Sequence, residues 1–181
     1  MPKRMTKESI GYDTHLRAVV SPWEMSADCP HLRRTLFDFD GVTDPSVEQL
    51  VETKICDKRW KRPRPVYRLE PGQMALCGVG FVTGMPFSLC YLTLCRSGMS
   101  SKFNITVANG PGTIDPDYRG EAGVNLHNCG TKSFYLYHGM RIAQVRFDWA
   151  MIPVFRKVGT YKEFDKTARG SGGFGSTGLH K

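Results

Sequence analysis

The sequence predicts an all-β fold, a barrel or a jelly roll. Its 181 residues include 19 glycines and 11 prolines, which interrupt helices, while 40% of the residues are hydrophobic. Short apolar runs of strand length recur from residue 67 onward, with turn residues between them. A chain of this length is expected to bury one core. We therefore predict one β domain over residues 1–158, followed by a flexible glycine-rich arm over 159–181.

The first third of the chain contains a charged segment, residues 22–65, that differs from the rest. It is rich in acidic residues and ends in the basic run 58–65. We interpret it as an insertion into the β domain. Apolar residues recur at helical spacing over 47–55, and Asp44-Pro45-Ser46 provides start signals for a helix. The sequence therefore predicts a short helix inside the insertion.

The remaining two thirds of the domain alternate between apolar runs and turns. Turn sequences occur at 70–72, 83–86, 109–112 and 138–140. The predicted strands cover residues 67–69, 73–81, 87–94, 103–108, 123–126, 133–137 and 141–149. Their spacing is typical of a barrel or a jelly roll.

Composition restricts the fold more than it restricts the class of protein. The net charge of +8 is compatible with an anionic ligand and equally with nucleic acid. The six cysteines have neither a CxxC pair nor zinc-ligand spacing, so we interpret them as free thiols. The first 13 residues are polar and no apolar run approaches 18 residues, so neither a signal peptide nor a membrane span is expected. These features predict a cytoplasmic protein.

The glycine-rich stretch 169–178 has the chemistry of a phosphate-binding flap. Five glycines can bring backbone N–H groups close to an anion, Arg169 can bind phosphate with two hydrogen bonds, and Phe174 can stack on a base. A nucleotide would supply both partners. The alternative is a flexible linker, the usual role of a Gly/Ser tail.

Three stretches in the β-rich part combine polar residues with turns. Arg96-Ser97-Gly98 follows an apolar run and presents a cation, a hydroxyl and backbone N–H groups, which suit a phosphate. In the second stretch, 109–121, we expect a tight hairpin tip, with Ile114 in the core and Asp115 as a general base at the start of the returning strand. An ordinary Asx-type turn is the alternative there. The third stretch, 139–144, leads into a strand that carries Gln144.

Taken together, these stretches resemble the dUTPase family, the trimeric dUTP pyrophosphatases within the dUTPase/dCTP deaminase superfamily. Five segments carry the resemblance in order along the chain: 11–13 with 16–18, 96–99, 112–120, 139–144 and 169–178. The match is firm from about Leu69 to the C-terminus and looser before it. Cys95 stands where the family usually has proline, and Thr14-His15 interrupts the first motif. The insertion of roughly forty residues is absent from ordinary members.

The resemblance implies a jelly-roll homotrimer with shared active sites that uses Mg²⁺ to hydrolyse dUTP to dUMP and pyrophosphate, a step in nucleotide metabolism and dUMP biosynthesis. Asp115 would activate the attacking water, and Gln144 would hold that water and contact phosphate. The other residues implied to bind phosphate are Arg96, Ser97, Gly98, Arg169, Gly175 and Ser176. Those implied to bind the base and sugar are Asn109, Gly112, Ile114, Tyr118 and Phe174. Asp13 would orient a water bound to the magnesium ion.

Three alternatives stay open at this point. The related dCTP deaminases, or a bifunctional deaminase and dUTPase, would need a glutamate and an arginine where this chain has Asn125 and Ser101. A member of the family could also bind a regulatory protein through residues 22–65. A nucleic-acid-binding role for the basic run is not expected to be the main function, since it explains neither Asp115 nor the tail.

Overall fold

The computed structural model describes residues 1–159 and 166–173. The chain divides into two units, Met1–Ala150 and Met151–Lys181. Most of the architecture below belongs to the first unit. The limits 1–158 and 159–181, given above for the domain and the arm, stay predictions.

The described residues form a mostly β structure with one short α-helix, so the predicted all-β, jelly-roll-like class is confirmed. The helix, α1, is Ser97–Phe103. The strands are β1 Tyr12–His15, β2 Ala18–Met25, β3 Arg33–Phe37, β4 Val51–Lys54, β5 Arg64–Leu69, β6 Met74–Gly78, β7 Leu89–Leu94, β8 Ile105–Val107, β9 Gly112–Ile114, β10 Gly123–Asn128, β11 Phe134–Leu136 and β12 Arg141–Trp149. No helix within 1–159 or 166–173 is long and apolar enough to cross a membrane.

The strands form three antiparallel sheets. One has the order β1-β12-β7-β9, the second β3-β2-β6-β10-β8, and the third β11-β5-β4. Alternate residues of a strand point to opposite faces, so each sheet can bury one row of side chains. The most fully buried apolar side chains of the resulting core are Leu16, Val20, Val66, Leu69, Tyr91, Ile105, Leu126, Leu136 and Ile142.

The segment 22–65 is built into this core. Its β3 is an edge strand of the five-stranded sheet, and its β4 is an edge strand of the three-stranded sheet. Phe37 and Phe39 are 2% and 5% exposed, and their ring centroids lie 4.5 Å apart. Phe37 also lies 6.3 Å from Tyr67 of β5. The segment therefore supplies part of the hydrophobic core as well as surface.

The prediction of a helix over 47–55 is wrong. Glu48–Leu50 forms only a single 3-10 turn, and the chain continues directly into β4. β4 pairs with β5 through Glu52 opposite Val66 and Thr53 opposite Pro65. Helical spacing of a few apolar residues does not stabilise a short helix in water, and pairing with a neighbouring strand competes successfully.

Helix α1 occupies a place where the sequence suggested only a turn between two strands. Its Met99 is 4% exposed and anchors the helix on the core. Asn104 ends the helix in the left-handed region, at φ 55°, and its N–H donates to the carbonyls of Met99 and Ser100. Arg96 is consequently held between the end of β7 and the first turn of α1.

Candidate active site

Four polar side chains converge where β1, β12 and the end of β7 meet. Asp13 stands opposite Gln144 in the β1–β12 pairing, and Gln144 donates from Nε2 to Asp13 Oδ1 over 3.0 Å. Arg96 donates from Nε to the same oxygen at 3.2 Å, while Arg141 donates from Nη1 to Asp13 Oδ2 at 3.0 Å. Asp13 thus collects two guanidinium groups and one amide. We call these four residues the Asp13 cluster.

The electrostatics of the cluster favour an anionic ligand. The Asp13 side chain is 1% exposed. Burial raises its pKa, but the hydrogen bond from Gln144 and the charge and hydrogen bonds of Arg96 and Arg141 outweigh burial, so the pKa lies below its usual value of 3.8. Two cations therefore face one ionised carboxylate. Arg96 and Arg141 keep side-chain exposures of 23% and 41%, so both can reach a phosphate from solvent.

A second group of predicted residues surrounds a cavity of about 280 Å³ beside β9 and the loops on either side of it. The cavity walls combine polar and apolar groups, which suits a nucleoside. They are formed by Arg33, Leu76, Asn109, Thr113, Ile114, Asp115, Tyr118, Gly123 and Asn125. Four residues predicted from the sequence, Asn109, Ile114, Asp115 and Tyr118, are thus brought together here.

The tight hairpin expected around 109–112 is not formed, because β8 pairs with β10 and β9 pairs with β7, so the chain passes from one sheet to another there. The conformation of this connecting loop depends on Gly112 and Asn109. A Cβ at Gly112 would lie 3.1 Å from Asn109 Nδ2, so glycine leaves room for the asparagine amide against the backbone. Ile114 packs against the hydrophobic core. Asp115 is exposed and directly follows β9, whereas the returning strand β10 begins only at Gly123. The expectation that Asp115 begins the returning strand is therefore wrong, because a turn closed by the Tyr118 N–H and the Asp115 carbonyl intervenes.

Glu121 fixes the loop that carries Asp115 and Tyr118. Its side chain is fully buried, and Arg17 donates to its two carboxylate oxygens from Nε at 2.9 Å and from Nη2 at 2.8 Å. The Gly80 N–H donates to Oε1 at 2.8 Å. The Tyr118 hydroxyl donates to the Glu121 carbonyl at 3.1 Å. A buried carboxylate with this many donors is fully compensated, so the loop is held rigidly.

The two groups of residues are separate within one chain. Ile114 stands opposite Tyr91, and Tyr91 stands opposite Phe147, three residues along β12 from Gln144. At about 3.4 Å per residue, this offset along the strand alone is about 10 Å. Within the parts of the chain that the structure describes, no hydrogen bond or ion pair connects Asp115 with the Asp13 cluster. Asp115 and Gln144 of one chain therefore cannot hold the same water molecule.

The glycine-rich tail is described only in part. Arg169 is exposed, and its Nε donates to the Gly172 carbonyl at 2.9 Å within a local turn. Gly170 in that turn has φ +55°, which glycine adopts without strain. Phe174, Gly175 and Ser176 lie outside the described residues. Their roles stay predictions.

Sequence reasoning assigned no role to two arginines. Arg141 belongs to the stretch that was noted for Gln144, but residues three apart on a regular strand point to opposite faces, so their spacing did not indicate a shared site. The register of the β1–β12 pairing shifts between Thr14 and His15, and the sequence gives no sign of that shift. Arg33 lines the cavity from β3, in a segment interpreted as an insertion, and no local motif marks it. Among residues 1–159 and 166–173, no group of three or more His, Cys, Asp and Glu side chains could hold a metal ion.

The chain is similar in sequence to known enzymes. The chain is 43% identical over 112 residues to the deoxyuridine 5'-triphosphate nucleotidohydrolase of Desulfotalea psychrophila, covering 61% of this chain and 72% of that protein. It is 46% identical over 112 residues to the enzyme of the same name from Rhizobium rhizogenes, covering 61% and 69%.

Solved structures show the same fold at lower identity. The dUTPase of Staphylococcus bacteriophage 80alpha, solved with dUpNHpp, matches with a TM-score of 0.66 and 20% identity, over 99% of this chain and 92% of that one. The dUTPase of phage phi11 of S. aureus, whose structure describes a structural Mg(II) ion, matches with a TM-score of 0.58 and 17% identity, over 90% and 91%.

The family model named dUTPase matches residues 66–178, well over half of the chain. The match includes the loop after β9 with Asp115 and Tyr118, the strand β12 with Arg141 and Gln144, and the glycine-rich tail. It begins after the segment 22–65. This chain belongs to the dUTPase family.

Proposed function

We propose that this protein is a dUTP diphosphatase, which hydrolyses dUTP to dUMP and pyrophosphate with Mg²⁺. The observation that carries the proposal is the Asp13 cluster, where two arginines and Gln144 surround one buried carboxylate in a chain of the dUTPase family. Two adjacent cations match the charge of a triphosphate, and a positioned amide suits the water that attacks it.

In the proposed reaction, Asp115 accepts a proton from a water molecule while the water oxygen attacks the α-phosphorus. The bond from the α-phosphorus to the bridging oxygen breaks, and pyrophosphate leaves with that oxygen. Gln144 donates or accepts a hydrogen bond to hold the water. Arg141 joins the phosphate-binding residues implied by the family, which are Arg96, Ser97, Gly98, Gln144, Arg169, Gly175 and Ser176.

The cavity beside β9 would hold the nucleoside. Asn109, Gly112 and Ile114, in β9 and the loop before it, would meet the uracil edge, and Tyr118 would pack on the deoxyribose and exclude a 2′-hydroxyl. Phe174 would stack on the base when the tail closes over the site and expels water.

The residues present fit a magnesium ion that is held mainly by the substrate. When bound, Mg²⁺ neutralises charge on the triphosphate, and it normally keeps several waters in its coordination shell. Asp13 is the carboxylate available near the phosphates, and all four of its contacts come from Arg96, Arg141 and Gln144. When these donors turn to phosphate, Asp13 would become free to accept a hydrogen bond from a metal-bound water.

A homotrimer with shared active sites is part of the proposal. Asp115 and Gln144 of one chain are too far apart to act together, so a second copy must supply one of them. An exposed apolar run in the second unit also supports association: Met151, Ile152, Val154 and Phe155 are between 82% and 97% exposed. Such a run is typical of a surface that a partner covers.

Deamination of dCTP is disfavoured by a residue in the cavity. Asn125 lies in the cavity wall, on the strand where a deaminase needs a glutamate. An amide cannot exchange protons with a cytosine ring at neutral pH. The proposal therefore assigns hydrolysis alone to this site.

The deciding experiment incubates the purified protein with dUTP, dCTP, dTTP or UTP in the presence of Mg²⁺, and follows pyrophosphate and ammonia. We expect rapid release of pyrophosphate from dUTP and much slower release from the other three. Ammonia release from dCTP would replace the proposal by the deaminase alternative. Asp115→Asn should abolish turnover and retain binding of dUpNHpp, and retained turnover would remove Asp115 as the base.

Mixing two inactive variants tests the shared site. Asp115→Asn and Gln144→Ala each remove one half of every active site. When the two proteins are denatured and refolded together, mixed trimers contain some sites in which both halves are intact, so part of the activity should return. Sedimentation should give three times the chain mass of 20.4 kDa. A monomer, or no recovery of activity in mixed trimers, would contradict this arrangement.

A further inference from the structure

Arg33 is a wall residue of the nucleoside cavity that comes from outside the part of the chain matched by the family model. It begins β3, in the segment 22–65, and is half-buried. Across the cavity it faces the loop that contains Asp115 and Tyr118. The segment 22–65, which precedes the part of the chain matched by the family model, thus contributes directly to the proposed active site.

The backbone around Arg33 is hydrogen-bonded to Glu121, in the loop that carries Asp115 and Tyr118. The Arg33 N–H donates to Glu121 Oε2 at 3.0 Å, on the same carboxylate that binds Arg17. In the opposite direction, the Glu121 N–H donates to the His31 carbonyl at 2.7 Å. These two bonds use backbone atoms of residues 31 and 33, so substitution of the Arg33 side chain leaves them in place.

The guanidinium of Arg33 reaches the hydroxyl of Tyr118. Arg33 Nη1 donates to the Pro22 carbonyl at 2.9 Å, and Nη2 lies 3.5 Å from Tyr118 Oη, at the long limit of a hydrogen bond. The Tyr118 hydroxyl uses its proton on the Glu121 carbonyl, so its oxygen is available to accept from Arg33. The phenol is therefore held from both sides, by a donor and by an acceptor.

We propose that Arg33 is a positioning residue that determines selectivity for the deoxy sugar by holding the Tyr118 ring in place. The inference rests on the proposed function, in which Tyr118 packs on the deoxyribose. A ring excludes a 2′-hydroxyl only while it cannot turn away, and the Pro22 carbonyl, Arg33 and the Glu121 carbonyl together prevent that motion. Arg33 acts through Tyr118 and not on the reacting phosphate.

Arginine is suited to this role because its planar group has several fixed donors. It bonds two partners in different directions at once, the Pro22 carbonyl and the Tyr118 hydroxyl. A lysine at position 33 would keep the positive charge but has a single flexible ammonium group. The variant Arg33→Lys therefore separates a role in fixing the ring from a general attraction for the triphosphate.

The test compares Arg33→Ala, Arg33→Lys and the control Arg34→Ala. Arg34 is the next residue of the same strand, and it pairs with Glu24 and Asp44, away from the cavity. The ratio of kcat/KM for dUTP to that for UTP is measured for each protein, together with its melting temperature. We expect the ratio to fall about tenfold in both Arg33 variants, through faster UTP hydrolysis, and to be unchanged in Arg34→Ala.

Three results would overturn the inference. An unchanged ratio in both Arg33 variants, with or without a lower melting temperature, would leave Arg33 a structural residue. Full restoration of the ratio by lysine would assign the effect to charge. In a double-mutant cycle, Tyr118→Phe should abolish most of the effect of Arg33→Ala, and additive effects would show that Arg33 does not act through the hydroxyl. A wild-type protein that hydrolyses no dUTP would remove the proposed function as well, so the two failures are distinguishable.

Discussion

Gln144 and Asp13 face each other across the β1–β12 pairing, and the amide nitrogen of Gln144 lies 3.0 Å from Asp13 Oδ1. This bond uses the donor end of the amide. Its oxygen is left to accept a hydrogen bond from a water or a phosphate-bound proton. Asp13 therefore orients the Gln144 amide while this bond is kept, in addition to binding two arginines.

Replacement of Asp13 by asparagine should destabilise the fold and weaken triphosphate binding. The variant places an amide with two N–H donors among donors from Arg96, Arg141 and Gln144, at a side chain that is 1% exposed. We expect a loss of about 1–3 kcal/mol in the free energy of unfolding, measured from urea titrations.

The control for Asp13→Asn is Arg146→Ala. Arg146 and Asp148 form a pair whose side chains are 43% and 46% exposed, so its removal should change the free energy of unfolding by less than about 1 kcal/mol. Equal effects of the two substitutions would mean that the Asp13 cluster adds no more stability than a surface ion pair.

The stability contributed by Asp13 should depend on pH only in acid. Its pKa in the folded protein is below the ordinary value of 3.8, because the hydrogen bond from Gln144 and the nearby Arg96 and Arg141 outweigh burial. The contribution is therefore complete above about pH 5 and is lost as the pH falls through the folded pKa. The difference in melting temperature between wild type and Asp13→Asn should be constant from pH 5 to 7 and should shrink below pH 4. Convergence between pH 6 and 7 would point to another group.

The later strands were predictable from the sequence because their apolar runs are separated by turn residues. β12, Arg141–Trp149, has the predicted limits, and β5, β6, β7, β8, β10 and β11 lie within or beside their predicted ranges. Asn109, Ile114, Asp115 and Tyr118 are close together in the sequence, in β9 and the loops on either side of it, so a local motif was enough to group them. Local patterns succeed where a structure is made by residues close in sequence.

The early strands and the site's distant contacts were not predictable in this way. β3 and β4 lie in a charged segment, and their strand character depends on pairing with β2 and β5 rather than on an apolar run. Arg33 meets Tyr118 across 85 residues, and Arg141 meets Asp13 across 128. Contacts between residues so far apart in the chain produce no recognisable pattern within one stretch of sequence.

The segment 22–65 should prove indispensable for folding, because it contributes to the core. Phe37 is 2% exposed and packs on Phe39 and Tyr67. Phe37→Ala should lower the free energy of unfolding by about 3–5 kcal/mol. Trp23→Ala is the matched control in the same segment, since Trp23 is 90% exposed and its removal should cost less than about 0.5 kcal/mol. Similar values for the two variants, from denaturant unfolding, would show that the segment is not part of the core.

Removal of residues 169–181 should reduce hydrolysis and leave the β domain folded. The core lies within Met1–Ala150, whereas the deleted residues supply Arg169 and Phe174 to the proposed closed site. We expect kcat for dUTP to fall by at least about a hundredfold, with the melting temperature unchanged. A melting temperature that collapses on deletion would assign the tail to the fold instead.

Gly78 should tolerate no side chain, because it lies against the bonded pair of Glu121 and Arg17. A Cβ built at Gly78 would be 2.7 Å from Glu121 Oε1, 2.9 Å from Val20 Cγ1 and 3.0 Å from Arg17 Nη2. Neither Glu121 nor Arg17 can withdraw without breaking the contacts that hold the Tyr118 loop, and Val20 is buried in the core. Gly78→Ala should therefore lower the free energy of unfolding by about 1–3 kcal/mol.

The consequence of Gly78→Ala should extend to catalysis. Displacement of the Glu121 carboxylate would disturb Arg33 and Tyr118 together, so the KM for dUTP should rise while binding of inorganic pyrophosphate to the Asp13 cluster stays unchanged. Gly84→Ala is the control, since no atom lies within 4 Å of a Cβ placed there. Denaturant unfolding and steady-state kinetics of the two variants decide the matter: a Gly78→Ala protein as stable and as active as Gly84→Ala would mean that the Glu121 contacts do not control the nucleoside cavity.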